Sequence, residues 1–175
     1  MVNILWKILT NIWFWENQEW KLNKDILTWI DVIDEQHYYF FLISNKVSNI
    51  DINSLSLEKM LQIIKDLEVY LDKHFECEEL IMHKYLQDEP ITDKQEHEHT
   101  HFLEKCTKSI RNIKNGNWDF RKEGETLFKE VIDWFYYHIL QCDIPLWKIL
   151  IEKGYKKEHF EIPEEYKDIY KNISF

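Results

Sequence analysis

The sequence predicts an all-α protein: an up-down-up-down four-helix bundle with an extension at each end. Three observations carry this. Gly and Pro number only three each in 175 residues, too few for the many tight turns of a sandwich or barrel. Four long segments repeat apolar residues at helical spacing. The breaks between them are short, and short connections leave neighbouring helices antiparallel. Apolar residues make up 45% of the chain and aromatics 15%, so one domain of this length can bury a large core.

The first segment runs from about Ile30 to Asn49, with Ile33, Phe40, Phe41 and Val47 on its apolar face. The second runs from about Leu57 to Tyr85 and lines up Leu67, Leu71, Ile81 and Met82; Ser54 or Ser56 can cap its start. A break follows at Asp88-Glu89-Pro90, and Thr92 or Asp93 is the expected cap of a third helix reaching about Ile113. Asn115-Gly116-Asn117 ends it, with Gly suited to the turn beyond a helix C-terminus. The fourth runs from about Asp119 to Leu150 and turns Leu127, Val131, Trp134, Phe135 and Ile149 inward. The expected organisation is an apolar N-terminal extension over 1–19, the bundle over 20–152 and a charged, aromatic tail over 153–175.

A net charge of −10 repels phosphate backbones and argues against nucleic-acid binding. Three cysteines, Cys77, Cys106 and Cys142, cannot all pair within one chain, which suits reduced thiols in the cytoplasm. The opening stretch MVNILWKILTNIWFW is too short to span a bilayer and lacks the charged start and cleavage site of a signal peptide. It is expected to pack on the bundle, or else to dock a protein partner or a membrane surface.

The polar residues on the apolar faces point to chemistry. His37 lies four residues after Ile33 and three and four before Phe40 and Phe41, so it faces the core. His74 and Glu78 stand one turn apart in line with Tyr70, Leu71, Ile81 and Met82. His138 shares a face with Val131, Trp134 and Phe135, and Asp143 follows it by five residues. A buried carboxylate is costly unless paired or metal-bound. Imidazoles and carboxylates together ligate iron, manganese or zinc, and two carboxylates can bridge two cations inside a helical bundle. Positions five apart are about 140° apart on a straight helix, so His138 and Asp143 straddle the site or the turn between them widens. Pro145, lacking a backbone donor, makes a local distortion plausible there.

On the third helix, Phe102, Leu103, Cys106, Ile110 and Ile113 align with His99, while His97 and His101 are about 160–200° away from that face. Gln95 lies four before His99. Phase therefore favours Gln95 and His99 as the inward pair. The rival is a register break, such as a widened turn between His101 and Phe102, that would bring His97 and His101 inward. His83 and His159 are expected at the surface, and Cys77 as a small core residue beside the ligand stripe.

Ile33-Asp34-Glu35-Gln36-His37, then His74-Phe75-Glu76-Cys77-Glu78-Glu79 with Met82, then Trp134-xxx-His138-Ile139-xxx-Asp143 resemble the motifs of hemerythrins and bacteriohemerythrins, in the family's order. The resemblance covers about Trp20 to Leu150, with Trp20 similar to the family's Trp ahead of its first helix. It implies two iron ions, joined by an oxo or hydroxo bridge, with dioxygen or a similar small ligand binding between them. It further implies Glu78 and Asp143 as carboxylate bridges, His37 and His74 on the iron with an open position, and His138 with the third-helix residues on the other. Phe75 and Trp134 would line the ligand pocket, and Phe75, Trp134 and Phe135 would keep water out. The family's third helix supplies His-xxx-His; Gln95 in place of the first of these offers a neutral amide, a weaker ligand than imidazole. That leaves an oxygen-binding role in storage, delivery or sensing as the first expectation, and a diiron oxidase or peroxidase as the alternative.

Overall fold

The computed structural model describes residues 26–86, 89–116, 119–155, 160, 163–167 and 169. Helix α1 spans Asp31–Ser48, α2 Leu57–Tyr85, α3 Pro90–Lys114 and α4 Phe120–His138. A π-helical turn, Ile139–Asp143, joins α4 to α5, Ile144–Glu152, and a short helix α6 covers Glu164–Lys167. Helices α1 to α4 pack on one another, and α6 lies against α2. This is the all-α helical bundle that the sequence predicts. The N-terminal stretch with its expected docking role, Trp20 and His159 lie outside the described residues.

Local chemistry sets the boundaries. The hydroxyl of Ser56 accepts the Lys59 N–H at 3.2 Å and caps α2. A carboxylate oxygen of Asp119 accepts from Arg121 N–H and caps α4. Gly116, at φ +65°, turns the chain just past α3. Helix α3 starts at Pro90, with Glu89 in the cap position, three residues before the expected Thr92 and four before Asp93. Pro90 occupies its first turn, where a missing N–H costs nothing, and the Thr92 hydroxyl instead donates back to the Leu86 carbonyl at 3.0 Å.

The entry to α1 has no side-chain cap of its own. Asp34 in its first turn reaches back instead, accepting from the backbone N–H and hydroxyl of Thr28, both at 2.7 Å, and from Trp29 N–H at 3.1 Å. These bonds hold exposed Trp29 at φ +67°, a conformation that costs a non-glycine residue about 1–3 kcal/mol.

Two apolar clusters fill the bundle. The larger contains Phe40, Met60, Ile63, Tyr70, Leu71, Phe75, Phe102 and Phe135; the smaller contains Ile30, Ile33, Cys77, Ile81, Leu146, Trp147 and Leu150. Each fully buried Leu, Ile or Phe contributes roughly 1.5–3 kcal/mol. Gly124 lets α4 approach α2 closely, since a Cβ there would fall 2.5 Å from the sulfur of Met60. Among the described residues, no helix is long and apolar enough to cross a membrane.

Candidate metal centre

The polar residues on the inner helix faces gather between the two apolar clusters. His37, His74, Glu78, Gln95, His99, His138 and Asp143 are all at most 1% exposed. They come from α1, α2, α3, α4 and the π turn, so the site exists only when the whole bundle is assembled.

Glu78 and Asp143 each face two ways. Oε1 of Glu78 lies 3.7 Å from His74 Nε2 and 3.9 Å from His37 Nε2, while its Oε2 lies 3.3 Å from His99 Nε2. Oδ2 of Asp143 lies 3.2 Å from His37 Nε2, and its Oδ1 lies 3.1 Å from His138 Nε2. Two groups of potential ligand atoms result: His37, His74, Glu78 and Asp143 on one side, and Glu78, His99 and His138 on the other. Glu78 belongs to both.

The donor set tests whether a metal fits. Nε2 of His37, Nε2 of His74, Oε1 of Glu78 and Oδ2 of Asp143 are buried without a well-aligned hydrogen bond. Buried polar atoms are rarely left in this way, because each forfeits its hydration. All four belong to one group, and all four are atoms that bind divalent iron, manganese or zinc. The residues fit a cation.

The π turn is what lets α4 supply two of these groups. Its N–H to carbonyl bond runs from Ile144 to Ile139, five residues back, and this wider turn returns Asp143 to the line of His138. Pro145 cannot donate to the carbonyl four residues before it, and that carbonyl, of Gln141, faces Lys94 Nζ at 3.5 Å.

On α3, which runs as uninterrupted α-helix, Gln95 and His99 face inward, whereas His97 and His101 are exposed. The Gln95 amide nitrogen sits among Glu78 Oε2 at 3.3 Å, His138 Nε2 at 3.0 Å and an oxygen of Asp143, while its amide oxygen makes no hydrogen bond. His83 is exposed and pairs with Glu96 at 3.0 Å. Cys77 stays in the apolar cluster beneath the site, where burial pushes its thiol up to about 12 and keeps it a poor ligand.

Electrostatics follow from burial and mutual charge. Burial, with the neighbouring His37, holds His74 well below the ordinary imidazole range and keeps it neutral. Burial and the adjacent Asp143 raise Glu78. Burial works to raise Asp143 as well, but His138 and His37 beside it hold it well below the usual carboxylate range. Burial opposes a proton on His138, yet Asp143 overrides it and pushes the imidazole up to about 10. An imidazole ligand must be deprotonated, so a cation bound at His138 would compete with the proton that Asp143 favours there.

Aromatic rings wall the site. Phe75 stacks on His99 with ring centres 4.0 Å apart, and partly buried Trp134 stacks on His138 at 4.5 Å. Phe135 lies edge-on to His37 at 5.6 Å and 5.3 Å from His74.

Sequence reasoning missed three outer contacts. Glu79 holds His99 Nδ1 at 2.8 Å; it stands four residues after Phe75 and three before Met82, a spacing that sets it beside the apolar face. Gln36 holds His74 Nδ1 at 2.8 Å and is itself fully buried. Its spacing from Ile33 and Phe40, three and four residues, carried a signal that went unused. The third, the carbonyl of Tyr166 on Gln36, involves a segment the sequence left unplaced.

The Hemerythrin HHE cation binding domain matches residues 28–143, two thirds of the chain and all of the site. The chain belongs to the hemerythrin family. A Bacteriohemerythrin of Clostridium acetobutylicum is 31% identical over 117 residues, covering 65% of this chain and 88% of that relative. No solved structure gives a significant match. The hemerythrin match ends at Asp143, the last residue of the candidate centre, so α5 and the C-terminal segment lie beyond it.

Proposed function

We propose that this hemerythrin-family chain holds two iron ions and binds dioxygen between them, in storage, delivery or sensing. The observation that supports this best is the double-facing geometry of Glu78 and Asp143, each with one oxygen toward His37 and the other toward His99 or His138. In this reading His37, His74, Glu78 and Asp143 would hold the first ion, and Glu78, His99 and His138 the second, with Gln95 as a weak amide donor.

Bound iron would supply the electrons that dioxygen takes up on binding. The chain's own residues do the rest. Phe75, Trp134 and Phe135 exclude water, which strengthens every charge interaction inside. Glu79 and Gln36 orient His99 and His74. The three buried free thiols suit a reducing compartment and support a cytoplasmic location.

Elemental analysis of protein purified without added metal should give two irons per chain. Anaerobic reduction followed by air, watched by absorption, should produce a new band that reverses when oxygen is removed. One metal or none, reproducibly, overturns the reading. The amide at Gln95 favours a second reading, a diiron oxidase or peroxidase, because one fewer imidazole leaves the second ion a labile position. Steady peroxide turnover that Gln95→His suppresses would select it.

A further inference from the structure

We infer that the C-terminal segment around Tyr166 sets the tautomer of His74, acting through the side chain of Gln36. The hydrogen bonds stand by themselves; their purpose rests on the reading of His74 as a metal ligand.

The Gln36 amide oxygen lies 2.8 Å from His74 Nδ1, and the amide nitrogen donates to the Tyr166 carbonyl at 2.7 Å. An amide oxygen only accepts, so Nδ1 must carry the ring proton. The lone pair then sits on Nε2, the atom that faces Oε1 of Glu78 at 3.7 Å. A primary amide can also turn over. Its NH₂ would then face Nδ1 and demand the lone pair there, moving the proton to Nε2 and closing that nitrogen to any cation.

Something must choose between the two amide orientations. The Tyr70 hydroxyl donates to the backbone carbonyl of Gln36 and does not touch the amide. The Cys77 thiol contacts the Gln36 side chain, but a thiol both donates and accepts, so it tolerates either orientation. The Tyr166 carbonyl only accepts. Turned over, the amide would set its oxygen against the Tyr166 carbonyl and take from that carbonyl the donor it now has. Tyr166 therefore decides.

The segment is anchored for this purpose. Ile169 is buried in the larger apolar cluster, Lys73 Nζ lies 5.6 Å from the centre of the Tyr166 ring, and Tyr166 N–H closes a turn onto the Pro163 carbonyl at 3.1 Å. It lies beyond the part of the chain that matches the family, so this control is an addition to the bundle.

The test uses full-length, metal-free protein with ¹⁵N-labelled histidine, whose long-range ¹⁵N–¹H spectra show which ring nitrogen is protonated. In the unaltered chain His74 should carry its proton on Nδ1 alone. Ile169→Asp should release the segment, speed exchange of the Gln36 side-chain NH₂, and shift the His74 Nε2 resonance part-way toward the protonated range. Adding Gln36→Glu to that variant should restore the pure Nδ1–H form, because a carboxylate offers His74 only acceptors. Gln36→Glu alone should free the segment, seen as faster exchange of the Tyr166 amide, while His74 keeps its tautomer. An unmixed Nδ1–H tautomer in Ile169→Asp, a Gln36 NH₂ that stays protected there, or unchanged Tyr166 exchange in Gln36→Glu would each overturn the inference. Iron uptake, measured separately on the same proteins, decides the metal reading, so the two fail independently.

Discussion

His138 Nε2 and Oδ1 of Asp143 stand 3.1 Å apart, although they lie five positions apart along one continuous helical run. On an unbroken α-helix they would point about 140° apart. The π turn is one residue inserted into the helix, and it keeps both flanks in register. Removing that residue should therefore be tolerated, provided the helix can close. Deleting exposed Gln141 together with Pro145→Ala, which restores the missing donor, should give a plain α-helix that still aligns His138, Asp143 and Trp147. Deleting exposed Asp133 instead should rotate His138 and all that follows by about 100° against the rest of α4 and abolish cooperative folding. Thermal unfolding of the two metal-free variants checks this. Equal damage from both deletions would refute it.

Glu78 shares α2 with His83 but not its fate: one is fully buried facing His37, His74 and His99, the other is exposed on Glu96. Glu78→Ala should lose most bound metal, since it removes an atom from each half of the site. His83→Ala should change neither metal content nor stability by more than about 0.5 kcal/mol, as expected of a surface pair. Elemental analysis decides, and equal metal loss in both variants would sink the assignment.

Gly124 should be intolerant of anything larger than Ala. Its missing side chain is filled by the flexible end of Met60, which is fully buried. Gly124→Ala gains about 1 kcal/mol of helix propensity, which a shift of the Met60 sulfur would largely cancel. Gly124→Val should cost about 1–3 kcal/mol by overpacking. Chemical denaturation of both variants measures the difference; a Val variant as stable as the original would mean that α4 does not approach α2 as described.

The bundle and most of the inner residues were legible because helical phase is a one-dimensional property. Each of His37, His74, Glu78 and His138 could be placed by counting from its own apolar neighbours. The five-step from His138 to Asp143, with Pro145 after it, even pointed to the widened turn. What stayed hidden depends on contact between distant segments. Gln36 meets Tyr166 across 130 positions of sequence, and nothing in either neighbourhood announces the other. The start of α3 was misplaced for a different reason: Pro90 at the first turn and Thr92 bonding backwards outweigh the usual preference for Thr or Asp as cap.

The third helix gives the sharpest test. His99 is buried, with Nδ1 on Glu79 and Nε2 3.3 Å from Glu78, while His97 and His101 are exposed. Bringing His97 and His101 inward would rotate Phe102, Cys106 and Ile113 toward water. At about 25 cal/mol per Å² of apolar surface, that loss is several kcal/mol. A widened turn between His101 and Phe102 could avoid it, but α3 is continuous α-helix through that point. His99→Ala should therefore weaken metal binding at the second position and lower the stoichiometry from two toward one. The double variant His97→Ala with His101→Ala should leave the stoichiometry unchanged. Gln95→His should act in the opposite sense to His99→Ala. The native amide fills the second position with N–H groups aimed at Glu78 and Asp143, contacts that must be given up before a cation can sit there. An imidazole would instead bring a lone pair to it, so the second metal should bind on the order of ten-fold tighter, about 1.4 kcal/mol. Isothermal titration of metal-free protein with Fe(II) under argon reads all three variants on one scale. Loss of a metal from the His97/His101 variant, or no tightening in Gln95→His, would show that α3 contributes to the centre through other residues.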